Sequence, residues 1–193
     1  MTFFSNFIGF IMVTAVVVLP FVSPIKACYK GEMSVRKQTI FILSLFILTF
    51  AGFSLLFGPL TFSPQVVSGN GNPAWFVIPE LVALFAVLAC FLWISASQLF
   101  QHRKTVSVSF VLFTAIVLIF LCIIGEVRFV QDLVVALGGG PTEHESVIYR
   151  YGWLNIYTNK LYFNGYTFAA GVFFSISIGG IVALVKRNTK SGP

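Results

Sequence analysis

The strongest constraint on this chain is the near absence of charge over long stretches. Only 9% of its 193 residues are Asp, Glu, Lys or Arg, and 58% are hydrophobic. A soluble domain carries about a quarter charged residues because it must present a wet surface. With so few ionic groups, the long apolar runs find a suitable solvent only in hydrocarbon. A bilayer core about 30 Å thick is crossed by about 20 helical residues at 1.5 Å rise each.

The runs predict an all-α membrane protein, a single transmembrane domain built as a bundle of five transmembrane helices. The spans fall at about 3–25, 39–60, 75–100, 106–125 and 167–185. A short interfacial amphipathic helix is expected at about 126–137 on the outer side, then an outer aromatic-rich loop at 138–166. Residues 1–6 carry no Lys or Arg and no A-x-A pattern follows the first run, so it reads as a retained span rather than a cleaved signal. Residues 61–74 hold two prolines and the breakers Gly69-Asn70-Gly71, and read as a loop.

The break at Gly125 rests on length. A single helix from Val106 to Leu137 would measure about 48 Å, well beyond the hydrocarbon thickness. Beyond Gly125, Val127, Val130, Leu133, Val134 and Leu137 recur at helical spacing, with Arg128, Gln131 and Asp132 off that stripe. That pattern suits a helix lying on a membrane surface.

The cations set the orientation. In five alternating spans one side receives Lys26, Lys30, Arg36, Lys37, Arg103, Lys104, Lys186, Arg187 and Lys190. The other receives Arg128, Arg150 and Lys160, together with the acids Glu126, Asp132, Glu143 and Glu145. Lys and Arg collect in short cytoplasmic loops, so the expected arrangement is a plasma or inner membrane protein with its N-terminus outside and its C-terminus cytoplasmic. The formal charge of +6 does not indicate nucleic acid, because these cations sit at the ends of apolar runs.

Among residues able to carry chemistry, Glu80 is the most informative. It lies about five residues into the third span, where a carboxylate is costly unless paired or hydrated. It is a candidate ion or ligand group; the plainer reading lets it reach headgroup water or pair with Arg128. Glu126, Arg128 and Asp132 are further ion or ligand candidates. Their plainer reading is a solvated face with an Arg128–Asp132 pair four residues apart. Trp75, Tyr149, Tyr151, Trp153, Tyr157, Tyr162 and Tyr166 are expected as interface aromatics at headgroup level. His102 and His144 fall on opposite sides, and Cys28, Cys90 and Cys122 form no C-x-x-C pair. No catalytic residue, cofactor or metal is assigned, since nucleotide, hydrolase and zinc motifs are missing from the sequence. The small residues Gly9, Ala51-Gly52, Ala169-Ala170-Gly171 and Gly179-Gly180 suit close helix packing.

Three functional classes follow. The favoured one is a non-enzymatic accessory, assembly, immunity or sensing component whose partners, besides the lipid bilayer, are other membrane protein subunits or copies of itself. The second is a small oligomeric transporter or channel subunit with Glu80 on its path. The third is a membrane-embedded enzyme acting on lipid or quinone.

Overall fold

The computed structural model describes residues 2–56, 59–63 and 72–190, with side chains described at 15–54, 59–63 and 72–189. The described residues form helices joined by turns and contain no strand. The long helices are α1 (Thr2–Tyr29), α2 (Val35–Ala51), α3 (Ile78–Gln101), α4 (Thr105–Ala136) and α6 (Gly165–Lys190). A short α5 (Val147–Tyr151) lies between α4 and α6. The expected end of the second run at Gly58, and residues 64–71 of the expected loop, lie outside the described residues.

Capping explains several boundaries. Ser34 accepts from the Lys37 backbone N–H and starts α2 four residues before the apolar run itself. α2 then continues through a π turn, Gly52–Leu56. Asn72 caps a 3-10 turn at Pro73–Phe76, and α3 follows with Pro79 in its first turn, where its missing N–H costs nothing. α1 tolerates Pro20 and Pro24 within its length. In soluble proteins an interior proline usually breaks a helix; membrane helices more readily re-satisfy the freed carbonyl.

The expected boundary at Gly125 is absent. α4 is one helix of 32 residues that passes through Gly125 to Ala136. A lone glycine costs a helix only about 1 kcal/mol relative to alanine, and here the missing side chain has a use. A Cβ at Gly125 would stand 2.4 Å from the Tyr166 ring. The stripe assigned to a surface helix also packs on protein. Leu133, Val134 and Leu137 join Ile148, Ile156 and Tyr157 in a small core beneath the segment leading to α6. The helix ends at Gly138, φ +82°, in a Schellman motif: Gly139 N–H donates to Val134 O at 2.9 Å and Gly138 N–H to Val135 O at 3.1 Å.

α3 and α6 form the central pair of the bundle. α3 packs along one side of α6 and α4 along another, while α1 and α2 lie against α3. Close approach of α3 and α6 depends on glycine. A Cβ on Gly179 would meet Trp93 O at 2.6 Å and Ser97 N at 3.0 Å, both backbone atoms of α3. Near the other end, Phe168 is 3% exposed and meets the rings of Phe46, Phe50, Phe53 and Phe85 at centroid distances of 5.2 to 5.5 Å. One residue of α6 thus ties together α2, its π turn and α3.

Among the described residues, four helical stretches are long and apolar enough to cross a membrane: Val35–Ser54, Ile78–Gln101, Thr105–Ala136 and Asn159–Thr189. α1 adds a shorter apolar stretch, Ala15–Tyr29, over its described side chains.

Candidate functional site

The helices run alternately, so the bundle has two chemically different ends. At one end the close of α1, the start of α2, the close of α3 and the close of α6 come together. Gln98 of α3 donates to Cys28 O at 2.6 Å and accepts from Gln38 of α2 at 3.3 Å. Ser95 donates to Gln38 Oε1 at 3.4 Å, and Gln38 also donates to Met33 O at 3.2 Å. Arg187 of α6 donates to the last carbonyls of α3, Phe100 O and Gln101 O, the latter at 3.2 Å. These would otherwise be orphan groups at a helix terminus. Lys26, Lys30, Arg36, Lys37, Arg103, Lys104, Lys186 and Arg187 all belong to this end, against the single acid Glu32.

The far end carries the acids singled out in the sequence. Counting back from Gln101, Glu80 stands about 31 Å along α3, and counting from Thr105, Glu126 stands about 31 Å along α4. They are therefore at similar height, on two helices that each pack chiefly on α6. Glu126 is held by Asn164, whose Nδ2 donates to Glu126 Oε1 at 3.1 Å and to Lys160 O at 3.0 Å. Asn164 Oδ1 in turn accepts from the backbone N–H groups of Tyr166 and Thr167, at 2.8 and 3.1 Å. One amide thus caps α6 and anchors α4 to it. Sequence reasoning misses Asn164 as a site residue, although an Asn just ahead of an apolar run is a recognisable helix-start signal.

Glu80 has a different environment. It lies in the first turn of α3, where the helix dipole favours negative charge. Its Oε2 is buried, as is Oε2 of Glu126, and neither has a hydrogen-bond partner among the described residues. Arg128 and Asp132 are both exposed and form no ion pair among the described residues. The expected pairings Arg128–Asp132 and Glu80–Arg128 are therefore not made. A second polar tie joins the α2–α3 connection to the segment before α6. Asn72 and Asn159 exchange amide hydrogen bonds at 2.8 and 3.0 Å, and Asn159 also donates to Leu60 O at 3.1 Å.

Of the expected interface aromatics, Trp75, Tyr149, Tyr151, Trp153, Tyr162 and Tyr166 are exposed, as such a role requires. Tyr157 is not: it is 6% exposed and belongs to the core with Leu137, Ile148 and Ile156. Its ring packs among aliphatic side chains there, with Leu133, Val134 and Val147 also against the cluster. His144 stacks edge-on against Tyr149 at 4.6 Å, and Glu145 pairs with the exposed Arg150 at 2.9 Å. No group of three or more His, Cys, Asp or Glu side chains among the described residues is placed to hold a metal ion.

An all-helical chain with several long apolar helices and polar groups gathered at two ends has the build of a multi-pass helical membrane protein. Comparison with known proteins finds no matching family model, no similar curated protein and no similar solved structure.

Proposed function

We propose that this chain is a five-span plasma or inner membrane protein, N-terminus outside and C-terminus cytoplasmic, acting as a non-enzymatic accessory subunit that binds another membrane protein. α1 completes the alternation: its close is tied to α3 at the basic end, where Cys28 O accepts from Gln98. With that end cytoplasmic, the cations obey the usual bias.

The observation carrying the accessory role is the surface of α4. Only 11% of its most apolar window is buried within the chain, against 39% for α3. Phe110, Phe113, Val117, Phe120, Ile124 and Val127 are all exposed and recur at alternating spacings of three and four residues. That repeat forms a straight seam able to receive a partner helix. Van der Waals packing and interhelical hydrogen bonds drive such association in lipid, where apolarity alone does not.

The test is site-specific photo-crosslinking in the native membrane. A photoreactive residue at Phe113 or Phe120 should give a discrete protein adduct, and one at the exposed Leu48 of α2 should not. Adducts with lipid alone at all three positions would defeat the reading. The orientation is tested by cysteine labelling of Lys30→Cys and Lys160→Cys, which should react from opposite sides.

A second reading, an oligomeric transporter or channel subunit, is supported by the buried Oε2 of Glu80, which no described residue contacts as a donor. Under that reading Glu80→Gln abolishes cation or proton flux in liposomes, whereas unchanged flux removes its basis.

A further inference from the structure

The basic end contains a cleft of about 890 Å³ bounded by the close of α1, by α2, α3 and α6. Its mouth is lined by three cations, Lys30, Arg103 and Lys186. Lys30 shares the exposed Glu32 at 3.9 Å, and the Lys186 ammonium lies 5.9 Å from the centre of the Tyr29 ring. The Arg103 guanidinium has no ion-pair or hydrogen-bond partner among the described residues. Three like charges around one opening attract an anion, and a guanidinium with free donors favours a phosphate, which it can bind in bidentate fashion.

The depth of the cleft is different. Ile42 of α2, Trp93 of α3 and Val182 of α6 line it, and Trp93 is eight residues before Gln101, about 12 Å further along α3. The site is therefore cationic at its mouth, polar below it at Gln38, Ser95 and Gln98, and apolar on the wall formed by Ile42, Trp93 and Val182. A free phosphate would satisfy only the mouth.

We propose that this cleft binds an anionic phospholipid, its phosphate at Arg103 and Lys186 and one acyl chain along Ile42, Trp93 and Val182. Basic pockets between membrane helices are general sites for anionic headgroups. The inference is independent of the accessory role assigned to α4, because it uses neither that helix nor a protein partner.

The full chain is reconstituted with Trp75→Phe and Trp153→Phe, leaving Trp93 as the only tryptophan. Its fluorescence is read in phosphatidylcholine vesicles containing a minor fraction of acyl-brominated phosphatidylglycerol or of acyl-brominated phosphatidylcholine. The anionic lipid should quench Trp93 more strongly, with a preference of about five-fold for each cation engaged. Arg103→Gln with Lys186→Gln should make the two lipids equal. Arg36→Gln with Lys37→Gln, at the same end but outside the cleft, should leave the preference intact. Raising sodium chloride should weaken the preference without any change to these cations, while inorganic phosphate at constant ionic strength should not relieve the quenching. Equal quenching by both lipids overturns the proposal, as does a preference that survives the Arg103 and Lys186 substitutions or high salt. A preference lost equally on removing Arg36 and Lys37 overturns it in favour of general surface attraction. Relief by inorganic phosphate overturns it in favour of a site for phosphate alone.

Discussion

Replacing Phe168 by alanine removes one ring from four aromatic contacts at 5.2 to 5.5 Å. Aromatic pairs in these geometries contribute about 0.5–1.5 kcal/mol each beyond their burial. Four pairs would give about 2–6 kcal/mol if they were independent. They share one ring, however, so the neighbours relax together and the lower part of that range applies. The usual transfer contribution to a Phe→Ala change is largely lost between membrane helices, because lipid tails are as apolar as the core. The expected cost is therefore about 2–3 kcal/mol, below the 3–5 kcal/mol common in soluble cores. Phe174 on the same helix is 60% exposed and provides the control: its alanine variant should stay within about 0.5 kcal/mol of the parent. Phe168→Leu should fall between the two. Unfolding titrations with sodium dodecyl sulfate in mixed micelles measure all three. Equal costs at positions 168 and 174 would refute the reasoning, because they would mean that the aromatic cluster does not hold α2, α3 and α6 together.

Gly179→Ala should lose about 1–2 kcal/mol in the same titration, since overpacking against the fixed backbone of α3 exceeds the gain in helix propensity. Gly180→Ala should be close to neutral, because the nearest atom to its added methyl is Leu112 Cδ2, the far end of a flexible side chain. Asn164→Ala removes a helix cap and the only hydrogen-bond donor to Glu126 among the described residues; a loss of about 1–3 kcal/mol is expected. Asn164→Ala with Glu126→Leu should recover part of it, because the carboxylate left without a partner is gone. Arg187→Gln should fray the end of α3, read as faster backbone amide exchange at His102 and Arg103, whose N–H groups bond Phe100 O, with Glu80 unaffected.

Much of this architecture is legible in the sequence, because hydropathy and charge act over whole helices. The long apolar helices and the gathering of cations at one end follow from composition along the chain. What composition cannot supply is the partner across space. A break at Gly125 is expected because one helix from Val106 to Leu137 outruns the hydrocarbon thickness, yet the role of this glycine depends on Tyr166, 41 positions later. The stripe from Val127 to Leu137 has the periodicity of a surface-seeking helix, and the same periodicity serves equally well to cover Ile148 and Ile156. Glu126 looked like part of a solvated face until Asn164 was brought to it by the fold. Tyr157 differs from the tyrosines around it only in what packs on it, and that is a property of the folded chain rather than of its local sequence.

The length of α4 has a mechanical side. Its 32 residues make a rod about 48 Å long, some 18 Å more than a hydrocarbon core requires. The surplus turns are clamped to the segment before α6 through Leu133, Val134 and Leu137, and are braced lower down by Tyr166 and Asn164. A force applied to that polar cap would therefore act through a lever rooted in the bundle, and a tilt of α4 would swing the cap as one piece.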